Sequence, residues 1–208
     1  MKQLLHIIAT PRGEESSTLK VSKVFLDNFK KAHPDCQIDE LNLYSANLPA
    51  LTAAMVSGKY VLLGGKDLAK DLKKAWKPIE DHIKRFLSAD GYLISAPMWN
   101  FNIPYLLKQY IDIIIQPKYL FQYTAGGVEG LVKNRKMVII TSRGGDYSEA
   151  SPFHKFDYQE PYLRAIFGFV GITDITFVNA QPMNMGPELE AKGLEKAKAE
   201  AVKLAGAL

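Results

Sequence analysis

Three short stretches hold most of the residue types that bind small polar ligands. The first is Thr10-Pro11-Arg12-Gly13-Glu14-Glu15-Ser16-Ser17-Thr18, which follows an apolar run and precedes a helical pattern. Backbone N–H groups at a helix start carry partial positive charge and suit phosphate. The hydroxyls of Thr10, Ser16, Ser17 and Thr18 add donors, and Arg12 adds a planar charge. Taken alone, the stretch also fits an ordinary helix cap beside a surface arginine. It has neither the Walker lysine signature nor GxGxxG spacing, so a nucleotide triphosphatase of that type and a Rossmann dehydrogenase are disfavoured.

The second stretch is Pro97-Met98-Trp99-Asn100-Phe101-Asn102-Ile103-Pro104. The apolar faces of Met98, Trp99 and Phe101 could pack a planar heterocycle, while Asn100 and backbone amides meet its polar edge. The same aromatics could instead cap the core. In the third stretch, Ser142-Arg143-Gly144-Gly145, glycine tolerates dihedrals that let a backbone come close to a ligand. A plain strand-to-loop turn would look the same.

Elements must bring these stretches together. Residues 3–9, 91–96 and 137–141 are short apolar runs, the pattern of strands buried on both faces. Residues 36–43 alternate as a less buried strand, and Ile172 to Val178 makes a fifth. Between them lie helical faces. The first is Leu19, Ser22, Phe25/Leu26 and Phe29; the next is Leu68, Leu72, Ala75/Trp76, Ile79, Ile83 and Phe86/Leu87. Pro78 within the latter predicts a kink or a junction of two helices. Further faces are Leu107, Tyr110/Ile111 and Ile114; Leu163, Ile166/Phe167 and Val170, closed by Gly171; and Leu194, Ala197, Ala201, Leu204/Ala205 and Leu208. Residues 118–135 carry the turn signals of a hairpin or flap. Residues 44–63 show no period and read as a long connection or interaction surface.

Alternation of strands and helices predicts a doubly wound parallel sheet. The flavodoxin-like order 2-1-3-4-5 would put all three stretches on one sheet edge, at the switch point where such folds bind ligands.

Bulk properties agree with one domain spanning 1–208. The chain has 26 Lys and Arg against 22 Asp and Glu, and no run of five like charges that would suggest a nucleic-acid tail. Cys36 is the single cysteine, and His6, His33, His82 and His154 make no spaced metal set with it, so they are read as packing or surface. No run of about 18 apolar residues predicts a membrane span, and the N-terminal pattern is too brief for a signal peptide. A cytoplasmic protein is expected.

On Pro11-Arg12-Gly13-Glu14 with the Ser16–Thr18 hydroxyls, Pro97 to Pro104, and Ser142 to Gly145, the chain resembles the FMN-dependent NADH azoreductases, also described as NADH:quinone oxidoreductases. Gly130-Leu131, Pro161-Tyr162-Leu163-Arg164, Gly168 to Asp174 and Gly186-Pro187-Glu188 extend the resemblance across the chain. It implies a flavodoxin-like fold, one non-covalent FMN per subunit, and NADH as donor. Two-electron ping-pong transfer to quinones or azo compounds would follow, in a homodimer. Thr10, Arg12, Ser16, Ser17 and Thr18 would hold the phosphate end; Met98, Trp99, Asn100 and Phe101 would line the ring; Ser142, Arg143, Gly144 and Gly145 would support it. Arg143 is expected to favour the reduced cofactor electrostatically. Thr10 stands where the family commonly has serine, and Trp99 where tyrosine is common. Residues 44–63 and 118–123 are the expected dimer surface. A flavodoxin-type electron carrier and an NAD(P)H:FMN reductase of the same fold are the alternatives.

Overall fold

The computed structural model describes residues 1–207. Its centre is a five-stranded parallel sheet of β1 (Gln3–Ile8), β2 (Gln37–Asn42), β3 (Gly91–Ser95), β6 (Lys136–Ser142) and β7 (Asp174–Ala180). The spatial order is β2-β1-β3-β6-β7. A separate antiparallel hairpin, β4 (Phe121–Thr124) with β5 (Gly127–Gly130), lies at the expected 118–135 stretch. With the hairpin set aside, the order is the expected 2-1-3-4-5.

The near-continuous apolar strands have a direct cause. Side chains alternate across a strand, and here both faces are buried. Leu5, Tyr92, Ile94, Met137 and Ile139 join one core, while their neighbours Leu4, Leu93, Val138 and Ile140 join the other. Helices α1 (Ser17–Ala32) and α6 (Pro187–Ala205) cover the second core, with the small residues Ala197, Ala201 and Ala205 buried. The first core lies under α3 (Lys70–Ser88), α4 (Tyr105–Ile114) and α5 (Gln159–Phe169), with α2 (Ala53–Leu63) against α3. His6 is buried and bonds Ser95 Oγ at 2.7 Å, a packing histidine as expected.

Three local expectations change. Residues 53–63 form a helix, capped by Thr52 Oγ1 accepting from the Met55 N–H at 3.3 Å. Its apolar residues surround the axis and only Gly58 and Leu62 are buried, so no stripe was visible. A Cβ on Gly58 would collide with the Trp76 indole, whose Nε1 donates to Met55 O at 3.0 Å. Helix α3 runs as one element through Pro78, so two helices do not meet there. Losing one helical bond there costs about 3 kcal/mol, less than the four burials of Trp76, Ile79, Ile83 and Phe86 gain together at roughly 1.5–3 kcal/mol each. The last strand starts at Asp174 rather than Ile172, because Gly171, at φ 103°, is still turning the chain. Leu208, expected to face inward, lies outside the described residues.

Candidate functional site

The carboxyl ends of β1, β3 and β6 are tied level with one another. Ala9 N–H donates to Ser95 O at 2.8 Å, Ala96 N–H to Ile140 O at 3.0 Å, and Met98 N–H to Ser142 O at 2.9 Å. The chain leaves β1 toward β2 on one side and later returns to β3 on the other, so a crevice opens between the two exits. In it lies a cavity of about 770 Å³. Nine of the thirteen expected residues line it: Thr10, Arg12, Ser16, Ser17, Met98, Trp99, Ser142, Arg143 and Gly144. Glu15, Lys20, Pro97, Met183, Asn184 and Glu190 complete the wall.

The first loop leaves donors free at a helix start, an arrangement that suits an anion. A 3-10 turn over Gly13–Glu15 delivers the chain to Ser16, the N-cap of α1, whose Oγ accepts from Leu19 N–H at 3.4 Å. Ser17 and Thr18 keep N–H groups with no acceptor among the described residues, the usual state of a first helical turn. Thr10, Ser16, Ser17, Lys20 and exposed Arg12, which lies 3.8 Å from Glu15, line the cavity beside them. Thr18 does not line the cavity. Its Oγ1 sits 2.7 Å from Ser142 Oγ and stitches the first loop to the third.

In the second loop, Trp99 and Asn102 exchange backbone hydrogen bonds at 2.9 and 3.0 Å around Asn100 and Phe101. Both central residues have positive φ, 49° and 68°, the arrangement of a primed reverse turn. Asn tolerates this region; Phe there is strained by about 1–3 kcal/mol. The turn carries both residues past the cavity. Asn100 lines an adjoining groove with Trp99, Tyr105, Lys108 and Tyr162. Phe101 stacks on Phe156 at 5.3 Å and meets Tyr147 edge-on at 6.4 Å. Pro97, Met98 and Trp99 are left as the apolar plate of the cavity. Trp99 also meets Tyr44 edge-on at 6.5 Å, and burial together with Tyr105 pushes the Tyr44 phenol upward.

The third loop adds a buried ion pair. Arg143 lines the cavity, but its guanidinium is buried and committed elsewhere. Nη1 donates to Asp157 Oδ2 at 2.7 Å, Nε to Thr141 Oγ1 at 3.1 Å, and Nη2 lies 3.6 Å from Glu160. Burial lowers its proton affinity while Asp157 and Glu160 hold it up. Two carboxylates thus face the guanidinium inside the protein, while Nη2 has no hydrogen-bond partner among the described residues. Gly145 packs against the Tyr147 ring rather than the cavity. Met183 and Asn184, absent from the sequence expectations, enter because their N–H groups donate to Arg143 O (2.8 Å) and Gly144 O (2.9 Å). Their signal was available: they follow the carboxyl end of the fifth strand, the same edge as the other loops.

The crevice is that of an open α/β sheet with free N–H groups at one helix start and an apolar plate beside it. The sequence matches the flavodoxin-like fold family over residues 2–205. An FMN-dependent NADH:quinone oxidoreductase of Nostoc punctiforme is 39% identical over 199 residues, covering 96% of each chain. One from Nitratidesulfovibrio vulgaris is 38% identical, covering 89% of each. Among solved structures, an azoreductase from Bacillus anthracis superposes with a TM-score of 0.91 at 31% identity over 100% of both chains. An FMN-dependent NADH-azoreductase from the same species, in complex with FMN, superposes with a TM-score of 0.88 at 31% identity, covering 100% of this chain and 99% of the other. The chain belongs to the flavodoxin-like family of FMN-dependent NADH:quinone oxidoreductases and azoreductases.

Proposed function

We propose that this protein is an FMN-dependent NADH:quinone oxidoreductase with azoreductase activity. One observation carries the reading: a single cavity joins an unpaired N–H seat at the start of α1 to the plate of Pro97, Met98 and Trp99. That pairing suits a phosphate at one end and a planar ring at the other. Its volume is within the range of about 300–1,000 Å³ usual for such ligands. Bound FMN would supply the two-electron chemistry from NADH to a quinone or azo compound.

The chain's own residues bind and orient. Ser16, Ser17, Thr10 and the free N–H groups hold the phosphate, with Lys20 and Arg12 balancing its charge. Met98 and Trp99 support the ring, and Ser142 and Gly144 close the far side through hydroxyl and backbone. Thr18 and Gly145 serve by holding these loops in place. Asn100 and Phe101 border the ring's approach rather than its seat.

The reading includes a homodimer and, since NADH is the donor, a cytoplasmic setting. The exposed rings of Tyr60 on α2 and Tyr123 on the hairpin, 68% and 64% accessible, support those two regions as the subunit contact. Sedimentation of the wild type against a Tyr60→Glu/Tyr123→Glu double variant tests it, with a shift to monomer expected.

The functional test reconstitutes the protein with FMN and adds NADH under anaerobic conditions. Bleaching of the flavin band, then recovery on adding menadione or methyl red, is expected. Failure to bleach would favour an electron carrier. Loss of flavin during turnover, seen on gel filtration, would favour a reductase that releases it.

A further inference from the structure

Residues 157–159 touch no wall of the cavity, yet they tie two of its loops together. Gln159 is fully buried, and its amide Nε2 donates to Pro97 O at 3.0 Å and to Ala96 O at 3.2 Å. Those carbonyls lie where β3 leaves the sheet. The N–H groups of Ala96 and Met98 go to β6, and Pro97 has none. One amide with two hydrogens therefore satisfies two successive carbonyls at the base of the apolar plate.

The orientation of that amide is fixed from both sides. Reversing it would set its oxygen against two carbonyl oxygens. As it stands, Oε1 has no partner, a buried cost retained because both hydrogens are used on the loop. Asp157 holds the backbone: Oδ1 accepts from the N–H groups of Gln159 and Glu160 at 3.0 Å each, and Oδ2 takes the Arg143 guanidinium. Between them, Tyr158 N–H donates to Phe101 O at 3.0 Å.

We propose that Gln159 is a positioning residue for the ring-binding plate, fixing Pro97 to Trp99 without touching the ligand. The proposal rests on the FMN reading above. In that role its two hydrogen bonds set how tightly and at what height FMN packs, and they leave the phosphate seat alone.

The test compares wild type with Gln159→Met, which keeps length and loses both donors, and Gln159→Glu, which sets a carboxylate against the two carbonyls. FMN affinity is expected to fall tenfold or more in Q159M and further in Q159E, with a changed fine structure of the bound flavin's absorption. KM for menadione should rise more than kcat falls. In the apoprotein, the Met98 amide should exchange with solvent at least tenfold faster in the variants. A role in packing alone lowers the melting temperature but leaves FMN affinity, the spectrum and Met98 exchange within twofold of wild type, and that result overturns the proposal. Wild type supplies a measurement independent of variant folding: both Gln159 side-chain amide protons should exchange slowly, and fast exchange overturns the proposal. If wild type fails to bind FMN, the functional reading falls and takes this inference with it. If wild type binds FMN and Q159M binds equally well, only the inference falls.

Discussion

The two sides of the crevice are built on opposite principles. The α1 side leaves its donors unspent: Ser17 and Thr18 N–H groups lack acceptors among the described residues, and the Arg12 side chain is 62% exposed. The β6 side has turned most of its donors into the protein, with Arg143 Nη2 the exception among the described residues. Arg143 is buried against Asp157 and Glu160, and Gln159 against the β3 loop. A helix start can stay open because water satisfies its N–H groups until a ligand replaces it. A buried guanidinium cannot, since an unpaired charge in the interior is costly. One side is therefore suited to binding and the other to holding shape.

Breaking the closed side should cost the most. Arg143→Met strands two carboxylates and should lower apoprotein stability by about 3–5 kcal/mol in urea unfolding. A loss below about 1 kcal/mol would mean that the pair is dispensable and the contrast false. On the open side, Ser17→Ala should leave apoprotein stability within about 0.5 kcal/mol. It should weaken FMN by about tenfold or more, since a hydrogen bond to a charged group contributes roughly 1.5–3 kcal/mol; flavin fluorescence titration reads this. Equal binding would remove Ser17 from the seat. The stitch between the sides comes next: Thr18→Val deletes the bond to Ser142 and should destabilise the apoprotein by about 1 kcal/mol, visible as a lower urea midpoint.

The smallest effect lies away from both sides and serves as a control. Arg85 bonds Asp39 through Nε at 2.9 Å and Nη2 at 2.6 Å, and these bonds hold the Asp39 carboxyl below its ordinary value. A depressed carboxylate stabilises the fold above its unfolded pKa, about 3.9. That contribution is lost as pH falls through the lower folded value. The gap in urea midpoint between wild type and Arg85→Gln should therefore be present at pH 7, corresponding to no more than about 1 kcal/mol for a partly exposed pair. It should narrow progressively as pH falls below that unfolded value, because protons then bind the unfolded carboxyl before the folded one. A gap unchanged down to about pH 2 would show that Arg85 acts by packing alone.

Most of the frame was readable because burial on both faces writes itself into composition. Leu4-Leu5, Leu93-Ile94 and Val138-Ile139 are paired apolar residues that only a two-sided core explains. Helix α2 was not readable, since a helix clamped at Gly58 and Leu62 needs no apolar stripe. The site divides in the same way. Thr10, Ser16, Ser17, Met98, Trp99 and Ser142 could be named because strand ends and hydroxyl or aromatic loops are local signals. The destinations of Asn100, Phe101 and Arg143 could not, because a reverse turn with positive φ and an ion pair fourteen residues away are not local.

By itself the sequence determined the order of the sheet strands and of the helices other than α2, the sheet edge that carries the loops and the kind of ligand those loops suit. These follow from periodicity and residue chemistry, which act over a few positions. Tertiary structure alone decided which polar groups remain free. Arg143 and Ser17 both look like ligand donors in the chain, but a hydrogen-bonding group is available only if nothing in the fold has reached it first. For Arg143 that partner is Asp157, at 2.7 Å; for the Ser17 N–H there is none among the described residues.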